Sequence, residues 1–416
     1  MSHLSYMEKL LDGVEVEWKP LGEVARFING RAYKKPELLE QGKYPVLRVG
    51  NFFTNANWYY SDLELDEDKY CDNGDLLYAW SASFGPRIWE GGKVIYHYHI
   101  WKVIPNAGQI LKKFLFYLLE WDTKALQGEH ATGSTMMHVS KGAIESRLVP
   151  IPCPDNPEKS LAIQAEIVRI LDAFTAMTAE LTAELTAELN MRKKQYNYYR
   201  DQLLSFEDGD VEWKTLGELA DIYDSLHQTP QYSEDGLSMI RVTDIKGGYV
   251  NLEKTLRVSK EVFETFTKKY LPQKDDLVMS RVGSYGNVGI VPEGSSACMG
   301  QNTVVIHPKI NSKYLYYILV SSVGQNFIER NVGGGNQKTL SLKSIKLIPI
   351  PIINEKEQER IVTILDKFDT LTSSITEGLP REIELRQKQY EYYRDLLLSF
   401  PASPAGGPKS HSGEAA

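Results

Sequence analysis

From Ala162 to Phe206 the chain carries no proline or glycine, and apolar side chains fall at Ile163, Ile167, Leu171, Phe174, Leu181, Leu185, Leu189, Tyr196, Tyr199 and Leu203. Steps of three and four place them on one face of a helix, so the spacing predicts a single long helix. A second stripe runs through Ile361, Leu365, Phe368, Ile375, Leu379 and Ile383. Gly378 and Pro380 interrupt it, which predicts a break there, with Pro380 opening a new helical turn. The stretches before each stripe, roughly 14–152 and 209–351, are mixed. Short β-type runs ("KYPVLRVGNFF", "KVIYHYHIWKVI", "NTVVIHP") alternate with Gly, Asn and Asp turns, and helical pieces such as "LKKFLFYLLEW" and "SKYLYYILVSSV" intervene. Pro-Ile-Pro corners at Pro150 and Pro349 are expected to end each mixed segment, because proline interrupts ladders and helices.

The order is written twice. "VEWKPLGEVA" (Val16 to Ala25) returns as "VEWKTLGELA" (Val211 to Ala220), and "PVLRVGN" is echoed by "SMIRVTD", aligning Arg48 with Arg241. "GDLLYAWSASFG" (Gly74 to Gly85) resembles "DDLVMSRVGSYG" (Asp275 to Gly286), "LVPIPCP" matches "LIPIPII", and "IVRILDAF" matches "IVTILDKF". The pass closes on "KQYNYYRDQLLSF" and "KQYEYYRDLLLSF", identical at eleven of thirteen positions. Such a period is too long for a solenoid and marks duplication of a whole domain plus its spacer. The chain divides into a first globular domain (1–155), a first spacer helix (156–207), a second globular domain (208–354), a second spacer helix (355–400) and a tail (401–416).

Two helices with one apolar stripe each must bury it. The simplest partner is the other copy, in an antiparallel coiled coil; the alternative is that each stripe packs on its own globular segment. Repeated helix ends suggest a repeated surface. Tyr198, Tyr199 and Arg200, with Tyr392, Tyr393 and Arg394, are aromatic and guanidinium groups typical of interface anchors, although an internal structural corner would also repeat them. The N-terminal "EKLLDGVEVEWKPLGE" resembles the junction "DQLLSFEDGDVEWKTLGE", so the two chain ends are expected to lie close together.

Inside the first spacer, Thr178 to Leu189 reads "TAELTAELTAEL", with Leu181, Leu185 and Leu189 closing the three tetrapeptides. Four helical residues add ~6 Å and ~400° of rotation, a net ~40°. One base pair of B-DNA adds ~3.4 Å and ~35°. The rotation of a tetrapeptide fits one base-pair step, and its length lies between one and two. The repeat is either a ruler setting the separation of the two globular segments or a neutral expansion absorbed by local unwinding.

Composition restricts the classes of protein. In 416 residues, 42% are hydrophobic and 25% charged, as in folded globular chains. No run of about 18 apolar residues predicts a membrane span, and the first residues do not read as a signal peptide. Cys71, Cys153 and Cys298 are scattered and odd in number, which gives neither a disulfide framework nor a metal knuckle and suits a reducing cytoplasm. The net charge of −8 opposes wholesale coating of nucleic acid, but it permits a local basic surface or binding shared with partners.

Duplicated variable segments separated by helices, "VEWKxLGE" starts, Pro-Ile-Pro corners, TAEL repeats and "KQYxYYRDxLLSF" ends together resemble the specificity subunit of type I restriction–modification enzymes, in its IC-like subfamily, over about residues 5–400. The resemblance implies an α+β fold: two mixed α/β target recognition domains in tandem, each followed by a long helix, with the helices forming an antiparallel coiled coil of pseudo-twofold symmetry. Each domain would read half of a split, asymmetric target in double-stranded DNA. The helices would space the domains and dock two modification (methyltransferase) subunits, which restriction (motor-nuclease) subunits then join. S-adenosylmethionine, ATP and Mg2+ would belong to those partners, and the chain would hold no cofactor or metal, in a bacterial cytoplasm. The tail "PASPAGGPKSHSGEAA" departs from the pattern and reads as a flexible or added end.

The residues are consistent with a chain that has no reaction of its own. No GxxxxGK[ST] loop is present, and no fingerprint for S-adenosylmethionine or methyltransferase NPPY motif. "NVGGGNQK" (Asn331 to Lys338) follows a helical piece and reads as a turn or DNA-facing loop, and "LDEDK" (Leu65 to Lys69) as a solvated loop. His97 and His99 alternate in a β-type run and would share a face, without further ligands for a metal. Base-edge donors and phosphate anchors are sought at Arg31, Lys34, Lys35, Arg48, Asn51 and Arg87 in the first domain, and at Gln228, Arg241, Asp244, Lys246, Arg281 and Lys338 in the second; each is also compatible with an ordinary surface role. A rival function is a duplicated small DNA enzyme such as a nuclease, which would keep acids or histidines at matched positions; Gly, Arg, Pro and aliphatics are expected there instead. A pure coiled-coil scaffold would leave the divergence of the globular segments unexplained.

Overall fold

The computed structural model describes residues 6–53, 55–81, 84–129, 138–207, 209–246, 248–294, 296–335, 338–374 and 377–401. Part of the "SASFG" and "NVGGGNQK" segments, Ile375 of the second stripe, the side chain of Lys246 and nearly all of the tail lie outside the described residues. Contacts divide the chain into two compact units, residues 1–181 with 386–416, and residues 182–385.

The uninterrupted stripe forms one helix, α1 (Pro157–Leu203). The interrupted stripe forms two, α2 (Glu355–Ser373) and α3 (Gly378–Leu398). Gly378 has φ +78°, and a Cβ there would meet the Thr370 carbonyl oxygen at 2.6 Å. Only glycine takes this position without strain, so the break falls where the glycine stands.

Within the first unit, one four-stranded sheet runs in the order Ala25–Asn29, Ile100–Pro105, Leu76–Ala79, Gly85–Ile88. A second runs Tyr59–Ser61, Tyr44–Leu47, Val94–Tyr96, Tyr70–Cys71. The second unit repeats this scheme. Ala220–Asp224, Thr303–Pro308, Leu277–Ser280 and Val288–Ile290 lead a six-stranded sheet, and Leu256–Val258, Leu237–Ile240 and Ala297–Met299 are consecutive in a four-stranded one. Registers match: Leu76 faces Val103 in the first unit as Leu277 faces Ile306 in the second.

The Pro-Ile-Pro segments do not simply end the domains. Leu148–Pro152 pairs antiparallel with Val16–Pro20, and Pro349–Ile352 with Glu212–Thr215. Each ribbon has only two strands, so the proline positions need no second ladder. The "KVIYHYHIWKVI" run is likewise two strands, Val94–Tyr96 and Ile100–Pro105, with Tyr98 and His99 in a turn between them. His97 and His99 are therefore brought together by that turn, with ring centroids 4.9 Å apart, and not by alternation along a strand.

The start of each stripe is buried on its own globular region. Ile163, Ile167 and Leu171 join the first unit's core, and Ile361, Val362 and Leu365 the second's. Full burial of such a side chain contributes ~1.5–3 kcal/mol. Where the stripe leaves the core, the other repeat's helix end meets it. Phe174 stacks on Tyr393 at 5.2 Å, with Thr175 Oγ1 donating to Tyr390 Oη at 3.1 Å, in the first unit. Tyr199 stacks on Phe368 at 5.8 Å in the second. Burial on the same segment and contact with the other helix thus occur in succession along one stripe. Met7 and Leu11 share the first unit's core with Leu397, Leu398 and Phe400, so the described chain ends meet there.

Candidate nucleic-acid interface

Each globular region grips its following helix with the same three residues. Tyr117 donates to Asp172 Oδ1 at 2.5 Å while Lys113 pairs with Oδ2 at 2.7 Å. In the second unit Tyr317 donates to Asp366 Oδ1 and Lys313 pairs with Oδ2, both at 2.6 Å. Asp172 and Asp366 hold the same place in "ILDAF" and "ILDKF". Another matched acid pair exists, contrary to the expectation that matched positions lack acids. Asp75 accepts from the Asp72 backbone N–H and pairs with Lys102; Asp276 accepts from the Gln273 backbone N–H and contacts His307. Each of these carboxylates accepts a backbone N–H three residues before it and so holds a turn.

Most of the charged residues expected to face DNA are engaged within the chain. Arg31 pairs with Glu37 at 2.8 Å. Arg48 donates to Asn51 and to the Asn57 carbonyl and lies 4.3 Å over the Tyr59 ring, while Asn51 donates to the Asn55 and Asn57 carbonyls. Arg87 donates to the Phe52 carbonyl. Arg281 is buried, bound to Asp224 at 2.5 Å and to the Leu340 carbonyl at 3.1 Å. Lys338 pairs with Glu329 at 3.2 Å. Arg241 forms a two-point pair with Asp244, itself buried, at 3.1 and 2.8 Å. That pair lines a cleft of about 970 Å³ with Lys313, Asp366 and Asp369. Burial raises the Asp369 carboxyl above its usual range, and the lining mixes Arg241, Lys254 and Lys313 with four acidic residues. Lys34, Lys35 and Gln228 are exposed.

Arg48 and Arg241 do hold equivalent places. Each follows the strand, Tyr44–Leu47 or Leu237–Ile240, that pairs in parallel with Val94–Tyr96 or Ala297–Met299. Beyond those parallel partners lie two matched turns, which charge-based searching missed. The His97 N–H donates to the Leu47 carbonyl as the Gly300 N–H donates to Ile240. The Trp80 N–H donates to the His99 carbonyl as Arg281 does to Asn302. The backbone scheme is one; the side chains are His97, Tyr98 and His99 in the first unit, and Gly300, Gln301 and Asn302 in the second.

Around the first turn, Trp80 Nε1 donates to the Tyr98 carbonyl at 2.8 Å, and its ring lies 4.8 Å from His99 and 5.9 Å from His138. Behind it Trp101 and Tyr78 continue a stack. Burial, together with His99 and Arg48, lowers the His97 pKa to about 4, and burial lowers that of His99. Neutral imidazole offers one donor and one acceptor. The doubled histidines were the sequence signal for this turn, weighed there only as metal ligands. Among the described residues, no group of three or more His, Cys, Asp or Glu is placed to hold a metal.

At the helix ends the tyrosine pairs divide. Tyr198 and Tyr392 are 61% and 58% exposed, whereas Tyr199, itself 47% exposed, and Tyr393 stack on the stripe phenylalanines. Arg394 is 4% exposed and bound to Asp395, so it is a buried pair and not a presented anchor; Arg200 binds Asp201. Of the tetrapeptide residues, Thr178, Leu181, Leu185 and Leu189 are half-buried. No described helix is long and apolar enough to cross a membrane.

The family model for the type I restriction modification DNA specificity domain matches residues 13–191 and again 209–385. Over 96% of the chain, the sequence is 40% identical to the type I restriction enzyme EcoR124I/EcoR124II specificity subunit of Escherichia coli, of which it covers 98%. It is 34% identical to a putative type I restriction enzyme specificity subunit of Haemophilus influenzae, over 95% of this chain and 98% of that one. A chain in a solved type I R-M system superposes with a TM-score of 0.63 at 16% identity, covering 92% of this chain and 97% of that one.

Proposed function

The chain belongs to the type I restriction-modification DNA specificity family, as a specificity subunit with two target recognition domains and no catalysis of its own, and from that premise we propose how it works. It reads a split, asymmetric sequence in double-stranded DNA, one half per domain. The observation that carries this is the pair of turns at His97–His99 and Gly300–Asn302, held by the same backbone bonds yet filled with different hydrogen-bonding groups. Identical frames with different side chains suit two readers of two different half-targets.

The helices act as the spacer, pairing antiparallel as a coiled coil of the IC-like kind with TAEL repeats. The contacts of Phe174 with Tyr393 and of Tyr199 with Phe368 support that pairing. Tetrapeptide number sets the distance between the readers. Two modification subunits dock at the repeated helix ends, through the outward Tyr198 and Tyr392, and restriction subunits join through them. S-adenosylmethionine, ATP and Mg2+ serve those partners, in the bacterial cytoplasm, and the partners supply the cationic surface that an acidic chain lacks.

The test is to co-express the chain with its modification subunits and map methylated adenines across a genome. A two-part motif with a fixed gap is expected. A continuous palindrome, or no methylation by a complex that assembles, contradicts the proposal.

A further inference from the structure

The charged candidates around the matched turns are largely engaged, with Arg31 Nη1 buried without a partner. Arg31, Arg48, Arg241, Arg281 and Lys338 each have a carboxylate, carbonyl or amide partner. In the turns themselves His97 Nδ1 accepts from the His99 N–H at 3.5 Å, and the other described polar side chains are free. Among the described residues, the Tyr98 hydroxyl, the His99 ring and the side-chain amides of Gln301 and Asn302 have no hydrogen-bond partner. Their backbones are nonetheless fixed on both sides, by Leu47 and Trp80 in the first unit and by Ile240 and Arg281 in the second. Fixed frames carrying unsatisfied donors and acceptors are what base-edge recognition requires, because the ordering cost is already met before binding. Tyr98 is 37% exposed. Gly300 leaves no room for a side chain, since a Cβ there would lie 2.6 Å from the Ile240 carbonyl oxygen. The second turn is therefore confined to Gln301 and Asn302.

Resting on the specificity function proposed above, we propose that these turns are the base-edge readers: Tyr98 and His99 for one half-target, Gln301 and Asn302 for the other. A carboxamide presents a donor and an acceptor side by side, which matches the N7 and N6 positions of adenine in the major groove, while a carboxylate accepts from cytosine N4. Gln301 thus reads an adenine edge, and Gln301→Glu should move the preference at that position from A toward C. The neutral His99 ring with the Tyr98 hydroxyl reads a position in the other half.

The experiment compares methylation motifs of complexes assembled from the wild-type chain, Gln301→Glu and His99→Gln, each co-expressed with the modification subunits. Gln301→Glu should change one base position in one half-target, and His99→Gln one position in the other half, with the gap unchanged. Methylation of the original sequence should fall about five- to a hundred-and-fiftyfold, the range of one good base contact. Tyr98→Ala, which removes an exposed side chain, provides a second readout for the first turn should the histidine variant not assemble. Its expected result is weakened discrimination in that same half. A wild-type complex that yields no two-part motif contradicts the specificity function itself and this assignment with it. A wild-type two-part motif that the variants leave unchanged, or change in both halves alike, overturns the assignment of the turns alone.

Discussion

At residues 113, 117 and 172 the first unit holds a Lys–Tyr–Asp clamp, and at 313, 317 and 366 the second holds the same three side chains at nearly the same distances. At residues 97–99 and 300–302 the two units share backbone hydrogen bonds but no side chain. The clamp joins a globular region to its spacer helix, which both copies must do alike. The turns, half-buried apart from the exposed Tyr98 and the buried Gly300, carry free hydrogen-bonding groups, which the copies need not do alike. Duplication has kept the mechanical joint and let the side chains of the turns differ.

The comparison is broken most severely where a repeated pair is buried unequally. Arg394 and Asp395 form a pair with side chains 4% and 12% exposed, whereas those of Arg200 and Asp201 are 13% and 33% exposed. Removing one partner of a fully buried pair costs ~3–5 kcal/mol, and the cost falls toward the ~0–1 kcal/mol of an exposed pair as exposure rises; Arg200–Asp201 is half-buried and lies between the two. Arg394→Met should therefore destabilise the chain more than Arg200→Met in denaturant titrations. Equal losses would mean that the two helix ends are environmentally alike.

The clamps should behave as equals. Asp172→Asn and Asp366→Asn each weaken a charge-assisted tyrosine bond worth ~1.5–3 kcal/mol, and each should lower stability by a similar part of that range. A loss confined to one unit would end the equivalence of the joints.

The turns should differ in their response to pH. The folded-state pKa of His97 lies near 4, below the ordinary 6.5, so the unfolded chain takes up the proton first as pH falls. The stability held by neutral His97 is complete above about pH 6.5 and is lost progressively toward pH 4. His97→Gly, which installs the second unit's residue, should flatten the pH dependence of stability across that window. An unchanged slope would show that the ring titrates normally. Smallest in stability is Tyr392→Ala. With 58% of the side chain exposed, the change should stay within ~0.5 kcal/mol, yet it should weaken co-purification of modification subunits if that surface docks them.

Much of the architecture was legible because it rests on period and on breakers. The stripe from Ile163 to Leu203 and the Gly378 break were written as spacing and as one permissive residue, and they became α1, α2 and α3. The turn at Tyr98 was not legible. "YHYHIW" alternates as a strand does, and only the pairing of Val94–Tyr96 with Tyr44–Leu47, distant in sequence, fixes where the strand stops. The proline segments misled for a related reason, since a two-stranded ribbon tolerates what a central strand does not. The candidate site was legible as a place and not as chemistry. Arg48 and Arg241 mark the right strand ends, but a sequence does not show that Asn57 and Asp244 already occupy them.

If the globular regions read the half-sequences and the helices space them, the two properties can be changed apart. The measurement is to delete one of the three tetrapeptides between Thr178 and Leu189 and map the methylated motif of the assembled complex. Both half-sequences should be retained while the gap between them shortens. An unchanged gap, or altered bases in either half, would contradict that separation.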